Sequence, residues 1–137
     1  MKNHNVFGPL VLRVSLGVVL IAHSLYLKMM VFGLSGTAGY FESIGLPAFM
    51  AYVVFLVEAV TGVMLIIGYK AKIASLIVAP ILLGATLVHV PNGWLFTAEN
   101  GGWEYPLFLT LVAIAVALMG SGGYSLDERQ SIATALD

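Results

Sequence analysis

The chain of 137 residues is 60% hydrophobic and only 9% charged, with a mean hydropathy of +0.99, which excludes an ordinary water-soluble domain and indicates an integral membrane protein. Its six basic and seven acidic residues give a formal net charge of -1, so the sequence offers no basic surface for DNA or RNA. Because it has no cysteine, the chain itself supplies no thiolate for disulfide exchange, zinc or an iron–sulfur cluster.

Four apolar stretches follow one another along the chain. A bilayer core of about 30 Å needs roughly 20 apolar residues per helix. A proline stands near the start of three of the stretches, where its missing N–H costs nothing. The sequence therefore predicts an all-α fold, an integral membrane four-helix bundle that forms a single domain over residues 1–137. Its four spans are approximately residues 9–31, 47–67, 73–90 and 105–119.

The basic residues predict the orientation of the spans. Most of them lie beside helix ends that would share one side of the membrane: Lys2, Arg13, Lys70, Lys72 and Arg129. Only Lys28 belongs to the other side. Since positive charge marks the cytoplasmic side, both termini are expected there. The outer side then carries two loops, residues 32–46, rich in glycine, and residues 91–105, rich in aromatic side chains. The polar tail, residues 120–137, is expected outside the bilayer, either as a short surface helix or without regular structure.

Six ionisable side chains fall within the four stretches or at their ends. A charge at the bilayer centre costs roughly 2.5 to 3.5 kcal/mol, so each one needs a partner or a function. At a helical rise of about 1.5 Å per residue, all but Arg13 are expected in the outer half of the bundle, drawn from all four spans. Unrelated structural roles would have scattered them over both halves. We therefore predict one polar site formed by this layer: Arg13, His23, Lys28, Glu58, His89 and Glu104.

Some of these residues also have a purely structural interpretation. Arg13 and Glu58 lie on adjacent helices at depths within the combined reach of two long side chains, which predicts a buried ion pair between spans one and two. His23 could be a neutral histidine hydrogen-bonded to a carbonyl, to Ser24 or to Glu58. As a functional group it could carry protons or bind a head group, because imidazole titrates near neutral pH.

The remaining side chains have equally simple alternatives. Lys28 could extend to the outer head groups. His89 could be an ordinary interfacial residue at a helix end, and Glu104 could stabilise the positive N-terminus of the fourth helix. The aromatic residues of the second outer loop could form an interfacial belt or cover a site.

Several segments, in order, resemble the DoxX family of small bacterial and archaeal four-helix membrane proteins. They are "LVLRVSLGVVLIAHSLYLK", "GLPAFMAYVVFLVEAVTGVMLIIGYK", "GGWEYPLFLTL" and the closing "GYSLD". The resemblance covers residues 10–127. It implies a multi-pass protein of the bacterial or archaeal cytoplasmic (inner) membrane, in contact with membrane lipid. Relatives in this family are described as membrane subunits of oxidoreductase systems, including a thiosulfate:quinone oxidoreductase, and as membrane partners of enzymes that handle oxidative stress.

The first functional hypothesis is a quinone site in an oxidoreductase subunit. A quinone needs an apolar slot for its tail, hydrogen-bond partners for two carbonyl oxygens and groups that exchange protons. His23 and Glu58 are the expected catalytic groups. The expected cofactor-binding residues are the whole layer, Arg13, His23, Lys28, Glu58, His89 and Glu104. Because the chain has no second redox motif, electrons would come from a soluble or membrane redox partner protein, so the chain is at most one subunit of an enzyme.

The second hypothesis is a non-enzymatic scaffold, or a transporter of a small solute or a metal, because intramembrane ionisable residues also mark transport pathways. A homo-oligomer could supply the second half that alternating access requires. Haem is a weaker alternative, since His23 and His89 are expected at depths about 10 Å apart. A metal site of His23, His89 and Glu104 would suit zinc or copper, although no tight local spacing supports it.

Overall fold

The structure is a computed structural model that describes residues 6–136, which fold into helices without a strand. Lys2, which contributed to the orientation argument, lies outside the described residues. The all-α prediction is confirmed. The helices, in chain order, are α1 (Phe7–Ile21), a π-helical segment (Ala22–Val31), α2 (Leu34–Ser43), α3 (Ala48–Ile67), α4 (Ala71–His89), a 3-10 turn (Val90–Asn92), α5 (Glu104–Met119) and α6 (Leu126–Thr134).

Three helical stretches are long and apolar enough to cross a membrane: Phe7–Val31, Ala48–Ile67 and Ala71–Asn92, with 25, 20 and 22 residues. The fourth apolar helix, α5, is shorter, with 16 residues. Large apolar side chains cover the outside of these helices; Phe108 and Leu118 of α5 are 61% and 76% exposed. A surface of this kind suits lipid better than water.

The core lies between the long helices and α5. α1 packs against α3 and α5, and α4 packs against α3 and α5. Small side chains on α4 let the helices approach closely, and aliphatic side chains of the other three fill the space between them. The core residues are Leu16, Leu20, Leu65, Ala71, Ala74, Val78, Leu82, Leu109, Ala113 and Val116.

Two glycines set the contact between α1 and α3. A Cβ atom placed on Gly17 would lie 2.7 Å from the carbonyl oxygen of Gly62, and a Cβ on Gly62 would lie 3.1 Å from the carbonyl oxygen of Gly17. Membrane helices use such small residues to bring their backbones together, because lipid supplies no hydrophobic force between them. This contact fixes α1 against α3. The continuation of α1 and the middle of α3 supply two charged residues of the site described below.

The glycine-rich stretch of residues 32–46 is mostly helical, so its interpretation as a loop is wrong. Glycine costs about 1 kcal/mol in a helix interior relative to alanine, but packing outweighs this cost here. α2 lies against α3 and the π-helical segment, and it buries Thr37 and Ala38. The Thr37 hydroxyl lies 2.9 Å from the carbonyl oxygen of Gly33 and 3.2 Å from that of Lys28, which ties α2 to the end of the first long helix.

Candidate functional site

An ion pair joins the π-helical segment to the middle of α3. The Lys28 Nζ atom lies 2.6 Å from Oε2 of Glu58, and the two side chains are 17% and 8% exposed. The lysine is therefore directed to Glu58 and does not extend to the head groups. Away from water, the attraction between the two charges is strong, and so is the cost of removing either one.

Arg13 is fully buried in the first half of α1, toward the end of the helices away from Lys28, which we call the Arg13 end. The hydrogen bonds that its guanidinium makes within residues 6–136 go to backbone carbonyls. Nη1 donates to the last turn of α3, at Leu65 and Ile66, over 2.7 Å each. Nε and Nη2 donate to the chain that follows α5: Ser121 (2.6 Å), Gly123 (3.1 Å) and Tyr124 (2.9 Å). A guanidinium has five N–H donors, so none is left for a ligand.

This arrangement replaces the predicted Arg13–Glu58 ion pair, which is wrong. The last carbonyls of a helix have no intrahelical partner and carry the negative end of the helix dipole, so they attract a cation. The glycine-rich chain after α5 brings three further carbonyls to the same guanidinium. Arg13 therefore fastens the tail to the bundle, and Glu58 is left to Lys28.

Asp127 completes the attachment of the tail. Its carboxylate accepts hydrogen bonds from the backbone N–H groups of Lys70 (2.7 Å) and Ala71 (3.2 Å), and from the Ser121 hydroxyl. Burial acts to raise the pKa of Asp127, but these bonds and the nearby Arg13 charge hold that pKa below its ordinary value. The carboxylate thus caps the N-terminus of α4, a position that favours negative charge.

The start of α6 could have been predicted from one local sequence motif. Ser125 caps α6 by accepting a hydrogen bond from the Glu128 N–H (3.1 Å), and the Glu128 side chain accepts one from the Tyr124 N–H (2.9 Å). This Ser-x-x-Glu spacing is typical of a capping box. Gly68, which follows the last residue of α3 with φ of +69°, leaves room for the tail, since a Cβ there would lie 2.9 Å from Cα of Ser125.

His23 lies on the π-helical segment with one ring nitrogen engaged. Nδ1 is 2.9 Å from the carbonyl oxygen of Val19. A carbonyl only accepts, so this contact assigns the proton of the neutral ring to Nδ1 and leaves Nε2 with a lone pair. The ring also lies beside Tyr105 at the start of α5, with 6.2 Å between ring centroids. His23 can therefore accept a hydrogen bond at Nε2 or, once protonated, donate one.

His89 repeats this pattern at the end of α4. Its Nδ1 lies 2.7 Å from the carbonyl oxygen of Ala85, and its ring faces Gly101, where a Cβ would lie 3.7 Å from Nε2. Within residues 6–136, no hydrogen bond or ion pair joins His89 to His23 or Glu104. In the same range, no three side chains of metal-binding type come together.

The aromatic loop between α4 and α5 is held by backbone hydrogen bonds. The Trp103 N–H donates to the carbonyl of Gly93, and the Glu104 N–H donates to that of Trp94, each over 3.1 Å. The Asn92 side chain donates to the carbonyl of Gly101 over 2.9 Å. The two indoles meet edge to face, 4.4 Å apart. We call the end of the helices at which they lie the aromatic end.

A groove of about 560 Å³ lies between this loop and α5, and we call it the α5 groove. Its walls are mainly aromatic and aliphatic, with Glu104 as the one charged side chain among them: Trp94, Phe96, Glu104, Tyr105, Leu107, Phe108 and Leu111. The loop aromatics thus do more than mark an interface, since two of them cover a groove. Tyr105 lies between this groove and His23, a contact that residue type and spacing along the chain do not predict.

The predicted layer is therefore divided into three neighbourhoods. Lys28 and Glu58 form the ion pair, His23 contacts Tyr105 beside the α5 groove with Glu104, and His89 lies under the aromatic loop. All belong to the middle or the aromatic end of the helices, whereas Arg13 lies at the other end. Among the described residues, Nε2 of His23 has no hydrogen-bond partner. The π-helical segment and α3 thus bring this imidazole and a buried carboxylate–ammonium pair onto neighbouring helices, and such groups can hydrogen-bond a carbonyl oxygen and exchange protons.

Comparisons with known proteins give consistent results. Residues 8–91 match the family model described as DoxX. The chain is 36% identical over 120 residues to a protein of Bacillus subtilis (strain 168) named "Putative oxidoreductase CatD", and the match covers 88% of this chain and 84% of that protein. No solved structure matches the chain significantly.

Proposed function

Since this chain belongs to the DoxX family, as its motifs predicted, we propose that it is a membrane subunit of an oxidoreductase system and that it binds a quinone or quinol. A membrane location follows from the family and from the three long apolar helices. The name of the Bacillus subtilis relative supports the oxidoreductase association. The observation that carries the quinone site is the ion pair between Lys28, which shares the π-helical segment with His23, and Glu58 on the neighbouring α3.

In this proposal, α1 with its π-helical continuation, α3, α4 and α5 all cross the bacterial or archaeal cytoplasmic membrane as a four-helix bundle. Both termini lie in the cytoplasm. The orientation is supported by Lys70, Lys72 and Arg129, which belong to the Arg13 end, because positive charge favours the cytoplasmic side. The 16 residues of α5 span about 24 Å, and a short span is accommodated by local thinning of the bilayer or by flanking residues.

The residues present fit a quinone. Reduction of a quinone to a quinol takes up two electrons and two protons. His23 presents its Nε2, which has no hydrogen-bond partner within residues 6–136, and the Nδ1 bond to Val19 fixes the ring orientation. Lys28 and Glu58 form the second proton-exchanging group, with the ammonium as donor and the carboxylate as acceptor. The electrons come from a redox partner protein, because the chain has no cysteine and no redox motif of its own.

The test is the amount of quinone retained per protomer. Protein purified gently from its own membrane is extracted with solvent, and quinone is quantified by mass spectrometry. The wild type should retain near-stoichiometric quinone. The His23→Phe variant, which keeps a ring beside Tyr105 but loses both ring nitrogens, should lose most of it.

The matched control is Tyr26→Phe, which removes a polar atom from a 59% exposed aromatic of the same segment and should leave the quinone content unchanged. Wild-type protein with quinone only at the level of the surrounding membrane would refute the proposal. Equal retention in the wild type and His23→Phe would remove His23 from the site.

A transporter of a small solute or a metal is the second candidate, and the same ion pair favours it, because charges inside membrane helices also line transport pathways. Flux into proteoliposomes that the wild type supports and Glu58→Leu abolishes would assign this function. The flux assay is informative whatever the quinone content, since it does not depend on a redox partner.

A further inference from the structure

We propose that the quinone enters the protein sideways from the lipid through the α5 groove, and that its ring lies there between the aromatic loop and α5. This inference rests on the proposed function and adds to it the face by which the ligand arrives. It also assigns the binding of the ring to three aromatic residues that line the groove, Trp94, Phe96 and Tyr105.

The groove opens on the side of α5 that faces away from the core. Glu104, Phe108 and Leu111 follow one another at helical spacing and share one face, whereas Leu109 and Ala113 point into the core. Phe108 and Leu111 are 61% and 55% exposed, on a helix whose outer surface suits lipid. A molecule dissolved in the membrane therefore reaches the groove without crossing water or the helix bundle.

The other wall of the groove is formed in advance. Trp94 is held at both its backbone and its ring: its carbonyl accepts the Glu104 N–H over 3.1 Å, and its indole meets that of Trp103 at 4.4 Å. Phe96, 68% exposed, extends the same aromatic surface. Such a wall can hold a flat ring at a small entropic cost, because little of it has to be ordered on binding.

The lining changes from polar to apolar along the groove, and this gradient selects the occupant. Glu104 and Tyr105 begin α5, and Phe108 and Leu111 follow one and two turns further along it. A quinol has hydroxyl groups that can donate hydrogen bonds to a carboxylate, and its long apolar tail suits the deeper part of the groove. An acyl chain has no hydrogen-bonding group to place at the polar end. The volume of about 560 Å³ lies in the usual range for small-molecule sites, roughly 300 to 1,000 Å³.

Tyr105 connects the groove to His23, one of the proposed proton-exchanging groups. Its side chain lines the groove, and its ring centroid lies 6.2 Å from that of His23. One aromatic side chain therefore separates a ring in the groove from the imidazole whose Nε2 is free.

Photolabelling locates the ligand directly. Full-length protein in nanodiscs is incubated with an azido-ubiquinone, illuminated and digested, and the labelled peptide is identified by mass spectrometry. The label is expected within residues 94–111, and an excess of decylubiquinone should abolish it. The Leu111→Trp variant, which fills the groove, should reduce labelling about tenfold or more, a loss of about 1.4 kcal/mol or more in binding.

The chain offers a matched control on the same helix. Leu118→Trp adds the same side chain two turns further along α5, at a position that is 76% exposed and outside the groove, and it should label like the wild type. Decylbenzene is an apolar competitor that lacks the quinone oxygens. If it removed the label as well as decylubiquinone does, the groove would be a general lipid crevice and the inference would be overturned.

Two further outcomes distinguish a failure of this inference from a failure of the proposed function. Competable label on other peptides, unaffected by Leu111→Trp, would overturn the groove and leave a quinone-binding protein. The absence of competable label anywhere, together with quinone at bulk-membrane level in the extraction experiment, would overturn both.

Discussion

Replacing Glu58 by leucine should leave the Lys28 ammonium without its counter-ion between apolar helices. Breaking a buried ion pair by removing one partner costs about 3 to 5 kcal/mol. The Lys28 side chain is 17% exposed and can be partly hydrated, so we expect the lower end of that range, about 3 kcal/mol. Lys28→Met should cost a similar amount, because it strands the Glu58 carboxylate, which is 8% exposed.

The double variant distinguishes a real pair from two independent losses. Replacing both members of a buried pair by apolar side chains is often neutral, so Lys28→Met/Glu58→Leu should be more stable than either single variant. The coupling free energy should therefore be about 3 kcal/mol or more. A matched cycle between Arg13→Lys and Glu58→Leu should show no coupling free energy. Arg13 bonds to the carbonyl of Leu65, which lies about 10 Å along α3 from Glu58. The effects of substitutions at such distant sites add within about 0.5 kcal/mol.

The assay is reversible unfolding of the purified protein in mixed micelles with increasing mole fraction of dodecyl sulfate, followed by circular dichroism. All six proteins are compared in the same lipid and detergent at neutral pH. If the losses of Lys28→Met and Glu58→Leu simply add in the double variant, the ion pair does not stabilise the fold. If coupling appears instead between Arg13 and Glu58, the assignment of partners is wrong.

Two further predictions concern the helix contact and the tail. Gly17→Ala should destabilise the protein by about 1 to 3 kcal/mol through overpacking against α3. The control is Gly84→Ala on α4, where a Cβ meets nothing within 4 Å, and it should be neutral or stabilising in the same micelle assay. Equal losses of stability in the two variants would refute the close contact. Because the pKa of Asp127 lies below its ordinary value, the stability from its carboxylate should be fully present above about pH 4 and be lost as the pH falls through the lower folded-state value. Asp127→Asn should flatten this acid limb of an unfolding series, and an unchanged limb would contradict the capping role.

The long apolar helices could be predicted because bilayer thickness sets their length and prolines mark their starts. The same reasoning could not find α2, whose glycines argue against a helix until its packing on α3 is known. Nor could it place Arg13. An ion-pair partner can be sought by residue type, but every residue carries a carbonyl, so nothing in the sequence singles out the acceptors at Leu65 and Gly123, far from Arg13 along the chain.

The error over Glu58 has a specific cause in the π-helical segment. Depth estimates assumed an α-helical rise up to Lys28, but hydrogen bonds to the fifth residue wind more residues into each turn, so the segment is shorter and Lys28 lies deeper than estimated. His23 and Ser24 of this segment bond through their side chains to the carbonyls of Val19 and Leu20. Such bonds do not by themselves cause the winding, because His89 makes the same bond at the end of the α-helix α4. The π-helical winding therefore accounts for Lys28 at the depth of Glu58, and the bond to the Val19 carbonyl accounts for the orientation of the His23 ring.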